Sequence, residues 1–192
     1  MFRAFPDTCV LFKPLQCDTL LSIAEEGVFQ PLWSAHVLEE LIRNLVRHGV
    51  GERSAHYRIG QMNEYFPDAE VTGYEKFIPA MANHPKDRHV LAAASRGHAG
   101  VLVTENIKDF PAEIVAAYDI DVSHQDDFLL DQLDLCPDQV RAAVRRQVSR
   151  YRRPPRSAED LLIALGKPGC GCPKFARGFG GYGGEVARGA GL

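Results

Sequence analysis

The fold of this chain is decided by residues 85–104, PKDRHVLAAASRGHAGVLVT, in which a helical pattern runs directly into a strand pattern. Pro85 suits the first turn of a helix, and from Val90 onward apolar residues recur at the spacing of one helical face. Residues 100–104 form a continuous apolar run, which is typical of a strand buried in a parallel sheet. The segment therefore predicts a helix over 85–98 followed by a buried strand.

The same alternation extends along the first two thirds of the chain. Strands are predicted at residues 2–7, 28–34, 69–72, 100–104 and 120–123, and helices at 15–26, 34–48, 52–66, 85–98 and 111–118. Strands that alternate with helices indicate an α/β domain whose parallel sheet is covered on both faces. Ligands bind such sheets outside the carboxyl ends of the strands, where we expect Asp7 and Thr104 to lie.

The remainder of the chain has a different pattern. Residues 126–134, 137–151 and 157–165 carry helical spacing, and no further strand is predicted. From Pro168 onward, nine of 25 residues are glycine, which predicts a mobile tail. The sequence thus predicts three parts: an α/β domain over 1–125, a helical extension over 126–167 and a glycine-rich tail over 168–192.

The charge is distributed unevenly between these parts. Residues 1–130 hold 11 Lys or Arg and 19 Asp or Glu, a net charge of −8, whereas residues 131–192 hold 11 and 6, a net charge of +5. An acidic body with a basic extension suggests cation binding by the first and anion or partner binding by the second. The arginines of interest are Arg141, Arg145, Arg146, Arg150, Arg152 and Arg153. They could contact RNA phosphates, dock an acidic protein, or form a solvated helix face.

The five cysteines predict a reducing compartment. Their number is odd, residues 1–5 lack the apolar core of a signal peptide, and no run approaches 18 apolar residues. We therefore expect free thiols, a cytoplasmic location and no association with a membrane. Cys170 and Cys172 could be half of a zinc site, but no second pair is spaced to complete it.

Four acidic residues carry the functional hypothesis: Asp7, Glu40, Asp87 and Asp109. Asp87 shares the apolar face of its predicted helix, where a carboxylate is unfavourable unless it is paired or binds a metal. Each acid also has an ordinary structural interpretation. Asp7 could be a strand-end residue, Asp87 could complement a helix dipole and Asp109 could cap a helix. Glu40 could be a solvated helix residue like its neighbour Glu39, and helix geometry does not choose between the two.

Carboxylates that are spread along a chain but converge in space are suited to a hard divalent cation such as Mg²⁺. Such ions can activate water and stabilise the leaving oxygen when a phosphodiester is cleaved. The sequence therefore favours a metal-dependent nuclease. A phosphatase that resembles the haloacid dehalogenases is disfavoured, because it requires a second aspartate where this chain has Cys9.

Four sequence blocks resemble the PIN-domain nucleases, and specifically the ribonuclease toxins of the VapC type. The blocks are residues 7–11, 34–41, 86–94 and 103–110, within a resemblance that covers about residues 1–125. The helical extension also resembles one found in a subset of these toxins, through the Pro-Pro-x-Ser-x-x-x-Leu-Leu segment at 154–162.

The resemblance implies a three-layer α/β/α sandwich with an acidic pocket that holds Mg²⁺ or Mn²⁺. It implies that Asp7, Glu40, Asp87 and Asp109 are the catalytic and metal-binding acids, and it selects Glu40 over Glu39. Thr104 and Asn106 fall in the block that lines the pocket. Implied partners are an RNA substrate, a cognate antitoxin and, by the family's habit, a second copy in a homodimer.

Two departures and two alternatives accompany this resemblance. Pro6 interrupts a strand that is normally apolar up to its aspartate, and Asn106 stands at the other candidate place for the fourth acid, beside Asp109. A PIN nuclease of housekeeping RNA processing would carry the same residues. So would a binding module that kept the fold but lost turnover, although the presence of all four acids argues against it.

Overall fold

A computed structural model describes residues 1–186 of the chain, with side chains described as far as residue 180. The chain forms two compact units. The first comprises Met1–Phe12 and Phe29–His124, and the second comprises Lys13–Val28 together with the chain from Gln125 onward. Within residues 1–186, no helix is both long and apolar enough to cross a membrane.

The elements follow the predicted order, in which strands alternate with helices and only helices follow residue 124. The strands are β1 (Arg3–Pro6), β2 (Gln30–Pro31), β3 (Trp33–Ser34), β4 (Glu70–Val71), β5 (Val101–Val103) and β6 (Asp121–Ser123). The helices are α1 (Thr8–Phe12), α2 (Pro14–Glu25), α3 (Ala35–Arg47), α4 (Glu52–Tyr65), α5 (Arg88–Arg96), α6 (Ala112–Val115), α7 (Gln125–Leu135), α8 (Pro137–Arg150), α9 (Ala158–Gly166) and α10 (Pro173–Val186). Short 3-10 helices cover Glu75–Ala80, Pro85–Asp87, Ile107–Asp109 and Ala116–Tyr118.

The first unit is built on a parallel sheet with the strand order β2-β1-β5-β6, flanked by helices. β1 and β5 pair in parallel register, so Pro6 lies opposite Val103 and the two strands end at the same edge. The predicted α/β sandwich with a parallel sheet and C-terminal helices is confirmed. The apolar strands β1 and β5 are buried, with Phe5, Leu102 and Val103 fully inaccessible to solvent.

The single strand predicted over residues 28–34 is wrong, because the chain changes sheets there. β2 pairs with β1, whereas β3 pairs with β4 in a separate two-stranded sheet. Leu32 donates its amide to Ala4, and the next amide, that of Trp33, donates to Ala69 instead. Pro31 has no amide to donate, but the bonds to β1 come from Gln30 and Leu32 on either side of it, so proline is tolerated at this position.

The helix predicted over residues 85–98 is divided and shorter. A 3-10 turn covers Pro85–Asp87 and α5 begins only at Arg88, so Asp87 stands at the cap position of the helix rather than within it. At the other end Gly97 is the cap residue. A Cβ on Gly97 would lie 2.8 Å from side-chain atoms of both Leu32 and Val71, so close packing requires glycine there.

The second unit is helical and includes Lys13–Val28, a segment that was predicted to belong to the α/β domain. α2 packs against α8, and Thr19 of α2 donates a 3.0 Å hydrogen bond to Gln147 of α8. Both side chains are fully buried. The prediction of one domain over residues 1–125 did not anticipate that Lys13–Val28 belongs with the C-terminal helices.

The prediction of a mobile tail from residue 168 needs correction, since Pro173–Val186 form helix α10. Phe175 is fully buried, and the buried carboxylate of Asp126 accepts hydrogen bonds of 2.9 Å from the amides of Lys174 and Phe175. A carboxylate on the first amides of a helix offsets its unpaired donors and its dipole. The prediction of mobility from glycine content was therefore wrong for residues 173–186. Residues 187–192 lie outside the described residues.

Candidate active site

The site begins at the edge where β1 and β5 end together. Asp7 directly follows β1, and its amide donates a 2.9 Å hydrogen bond to the carbonyl of Val103. Thr104 directly follows β5, and its hydroxyl donates a 2.9 Å hydrogen bond to Asp7 Oδ2. Both side chains are buried. The predicted position of Asp7 and Thr104 at one sheet edge thus matches the register of these strands.

Asp7 is held from several directions. The Thr8 amide donates to its Oδ1 at 2.6 Å, and the Cys9 thiol donates to its Oδ2 at 3.4 Å. Burial raises the pKa of Asp7 above its usual range and Glu40 adds to the rise, although the hydrogen bonds from Thr104, Cys9 and Thr8 oppose it. Burial, followed by the charge of Asp7, raises the pKa of the Cys9 thiol to about 12, so this group stays neutral.

Glu40 projects from α3, and the start of this helix is determined by the capping residue before it. Ser34 caps the helix by accepting the Val37 amide, as predicted from its position. Glu40 Oε2 accepts a 2.9 Å hydrogen bond from the Thr8 hydroxyl and lies 3.5 Å from Nε2 of His89. His89 lowers the pKa of Glu40, against the effect of burial. Burial alone would lower the pKa of His89, but Glu40, together with the charge of Asp7 and the backbone of Lys86, raises that pKa overall.

Glu39 occupies a different environment from Glu40. Its side chain is 64% exposed and lies 3.8 Å from Arg43, one helical turn further along α3. An exposed pair of this kind contributes little to stability. The structure therefore separates two glutamates that helix geometry alone left equivalent.

Asp87 and Asp109 flank the ammonium group of Lys86. Lys86 Nζ lies 3.9 Å from Asp87 Oδ2 and 3.7 Å from Asp109 Oδ2. His84 Nδ1 lies 3.6 Å from the same Asp87 oxygen. These distances are too long for hydrogen bonds, and Asp87 Oδ2 is buried without a hydrogen-bond partner among the described residues.

The pKa of Asp87 reflects this environment. The pKa of Asp87 is raised to about 6, mainly by burial and also by the charges of Asp7 and Asp109, whereas the charges of Lys86 and His84 oppose the rise. Asp87 is therefore close enough to Asp7 and to Asp109 for their charges to repel, and so is Asp7 to Glu40. Among the side chains that the structure describes, however, no three or more His, Cys, Asp or Glu residues are grouped closely enough to bind a metal ion as they stand.

The two predicted pocket residues differ in what they contact. Thr104 bonds directly to Asp7, and its hydroxyl also accepts the backbone amide of Asn106 at 3.1 Å. Asn106 is half-buried and enters this network through its backbone.

Four residues of the site were not predicted from the sequence: Cys9, Lys86 and His89, which lie beside the acids, and His36, which lies beside His89. His36 stands four residues before Glu40, hence on the same face of α3, and this spacing was a signal that could have been used. Its Nδ1 lies 2.5 Å from the Tyr74 hydroxyl, and its ring centroid lies 5.5 Å from that of His89. Lys86 and His89 stand one residue before and two residues after Asp87, but nothing in the pattern predicts which acid each would face.

The predicted arginine group divides into paired and exposed members within the second unit. Arg141 lies 4.0 Å from Asp138, Arg146 lies 2.7 Å from Glu26, and Arg150 pairs with Glu25. The side chains of Arg145, Arg152 and Arg153 are exposed. Part of the basic stretch therefore stabilises the helical unit itself, which reduces the positive charge available to a partner.

Comparison with known proteins yields two family matches and one curated relative. A model described as PIN domain matches residues 5–108, and one described as VapC50 C-terminal domain matches residues 125–179. The chain is 49% identical over 104 residues to "Putative ribonuclease VapC50" of Mycobacterium tuberculosis, an alignment that covers 54% of this chain and 60% of the relative. The chain thus spans about 60% of the length of that relative. No solved structure matches the chain.

Proposed function

This chain belongs to the PIN-domain family, and on that premise we propose that it is a divalent-cation-dependent endoribonuclease whose acidic residues are Asp7, Glu40, Asp87 and Asp109. The observation that carries the proposal is the Asp87 carboxylate, whose Oδ2 is buried with no hydrogen-bond partner among the described residues. A buried carboxylate oxygen without a partner is unfavourable by about 1–3 kcal/mol or more. Coordination of a cation would remove that penalty.

The residues present fit a hard divalent cation. Mg²⁺ and Mn²⁺ are bound through carboxylate oxygens, and the four acids supply these next to two threonine hydroxyls. Lys86 already supplies a positive charge between Asp87 and Asp109. A metal cation could therefore take the place of the lysine ammonium, which now neutralises the charges of these two carboxylates.

Asp7 and Glu40 are each oriented by neighbouring hydrogen-bond donors. Thr104, Cys9 and the Thr8 amide orient the Asp7 carboxylate, and the three donors oppose its protonation. The Thr8 hydroxyl and His89 orient Glu40 and keep it ionised. When bound, Mg²⁺ or Mn²⁺ would supply an activated water and charge neutralisation for phosphodiester cleavage.

The cellular role that we propose is that of a toxin with a cognate antitoxin, acting on RNA in the cytoplasm. It is supported by the match to the VapC50 C-terminal domain model and by the likeness to a curated relative whose name is that of a ribonuclease. Induced expression should arrest growth, and co-expression of a neighbouring gene product should restore it. Unimpaired growth would instead favour housekeeping RNA processing.

The direct test of the activity is incubation of the purified protein with total RNA and Mg²⁺, Mn²⁺ or EDTA, with the cut ends mapped. We expect discrete cleavage with either cation and none with EDTA. Cleavage that persists in EDTA would exclude cation-dependent hydrolysis at this site.

Lys86 provides a further prediction about cation binding. Because its ammonium repels an incoming cation, Lys86→Met should lower the Kd for Mn²⁺ about three- to tenfold, a modest change since the lysine is 63% exposed. Isothermal titration calorimetry would measure it. Lys108→Met is the matched control: Lys108 is exposed beside Asp109 and makes no ion pair with a described residue. Weaker Mn²⁺ binding by Lys86→Met would show that the lysine supports the cation rather than competing with it.

A further inference from the structure

The second unit contains a cavity that the proposed chemistry does not use. Its volume is about 470 Å³, and it is lined by Pro14, Leu15 and Asp18 on one side and by residues 150–155 on the other. This volume lies in the range of sites that accept small molecules or single nucleotides.

The rim of the cavity is cationic. Arg150, Arg152 and Arg153 line it together with a single acid, Asp18. Arg150 pairs with Glu25 and the Asp18 carboxylate accepts the Tyr151 hydroxyl, so these two groups are already engaged. Arg152 and Arg153 are exposed and form no ion pair with any residue in 1–180. Two guanidinium groups are therefore available to an anionic ligand at this position.

The wall of the cavity is apolar and rigid. Pro14, Pro154 and Pro155 carry ring side chains that lose no rotamer freedom on binding. The Tyr151 ring is fixed at its hydroxyl, which donates to Asp18 and accepts a 2.8 Å hydrogen bond from Gln147. A surface that is already ordered binds a ligand with little further entropic penalty.

We propose that this cavity binds one nucleotide unit of single-stranded RNA, with the base against the proline and tyrosine wall and the adjoining phosphates on Arg152 and Arg153. The inference rests on the proposed function, in that RNA is the substrate. Single-stranded nucleic acid is bound by a cationic groove beside aromatic side chains on which bases stack. Here Tyr151 is the aromatic group, and the prolines extend the apolar wall around it. An acidic peptide would satisfy the guanidinium groups, but its carboxylates would leave the apolar wall uncovered.

The first test measures binding with cleavage suppressed. A fluorescein-labelled single-stranded RNA of twelve uridines is titrated with the full chain in EDTA, and fluorescence anisotropy gives the Kd over a range of salt concentrations. Arg152→Gln with Arg153→Gln should raise the Kd about tenfold and reduce the salt slope by about 1.4, because two phosphate contacts are lost. Arg145→Gln is the matched control, an exposed arginine of α8 that does not line the cavity. Because the control removes one charge and the test variant two, a reduction of the salt slope by about 0.7 in the control would show diffuse attraction and overturn the proposal.

The second test asks whether the base occupies the cavity. An abasic oligomer of the same length keeps the phosphates, so it should bind at least about tenfold more weakly than the uridine oligomer. Equal binding of the two, or displacement of the RNA by an equimolar polyglutamate peptide, would overturn the nucleotide site. Cleavage of total RNA by the wild-type protein with Mn²⁺ is scored separately. If the protein cuts RNA but neither the arginine substitutions nor the abasic oligomer weakens binding, the nucleotide site is refuted and the nuclease activity is not. If binding is as expected but RNA is not cut, the nuclease activity is refuted and the nucleotide site is not.

Discussion

Replacement of Asp7 by Asn is expected to lower the rate of RNA cleavage about a thousandfold, and so is replacement of Asp87. Each change removes a negative charge that the proposed cation requires, and the loss of about 4 kcal/mol of transition-state stabilisation corresponds to that factor. The fold should be retained. Burial disfavours the charge on both carboxylates, so a neutral amide at either position removes the unfavourable energy of burying a charge. Single-turnover cleavage of a labelled RNA measures the effect, and circular dichroism checks the fold.

The adjacent glutamates of α3 supply the control for this prediction. Glu40→Gln should reduce cleavage at least about a hundredfold, since Glu40 bonds to Thr8 and lies beside His89. Glu39→Gln alters the same functional group one residue away, on a side chain that is 64% exposed, and should leave the rate unchanged. Full activity in purified, folded Asp7→Asn or Asp87→Asn would refute the proposed site.

Binding of Mn²⁺ is expected to stabilise the folded protein at neutral pH and to lose part of this effect in acid. At a Mn²⁺ concentration of about one hundred times the Kd, linkage gives about 2.7 kcal/mol, or an increase in Tm of about 5–10 °C for a chain of this size. The cation requires the ionised form of Asp87, whose pKa is about 6. The increase in Tm should therefore be full at pH 7.5 and about half as large at pH 5, where only about a tenth of Asp87 is ionised. Differential scanning calorimetry with Mn²⁺ or EDTA measures it.

Asp87→Asn provides the control for cation binding. In EDTA, this substitution should itself stabilise the folded protein. Because the pKa of Asp87 is raised in the folded state, ionisation of this group destabilises the fold progressively as the pH rises from about 4 to 6. In EDTA at pH 7.5 the variant should be more stable than the wild-type protein by about 1–3 kcal/mol, and the difference should vanish below about pH 4. A Tm that rises equally with Mn²⁺ in both proteins would place the bound cation elsewhere.

The sequence was sufficient to predict the architecture of the first unit and the strand-end positions of its site. Alternating strand and helix patterns determine a parallel sheet, and a parallel sheet brings the residues after β1 and β5 to one edge. The sequence alone therefore predicts that Asp7 and Thr104 lie together. The Ser34 cap likewise follows from local chemistry, because a serine hydroxyl before a helical pattern satisfies its first amides.

Features that depend on distant contacts could not be predicted in this way. The polarity pattern of α2 indicates a helix but does not reveal that its partner is α8, more than one hundred residues away. In α10, the glycines suggested disorder, whereas the burial of Phe175 and the capping carboxylate of Asp126 favour a helix. The position of Lys86 between two acids depends on side-chain rotamers and on the loop that carries Asp109, which no sequence period encodes.

Anomalous diffraction from a crystal of the full chain soaked in MnCl2 tests the central claim most directly. We expect a strong Mn²⁺ peak bonded to carboxylate oxygens of Asp7 and Asp87, at about 2.0–2.3 Å, with Lys86 displaced from its present position. A protein that cleaves RNA in the same Mn²⁺ buffer but shows no peak at these carboxylates, or a peak only at another site, would contradict the account.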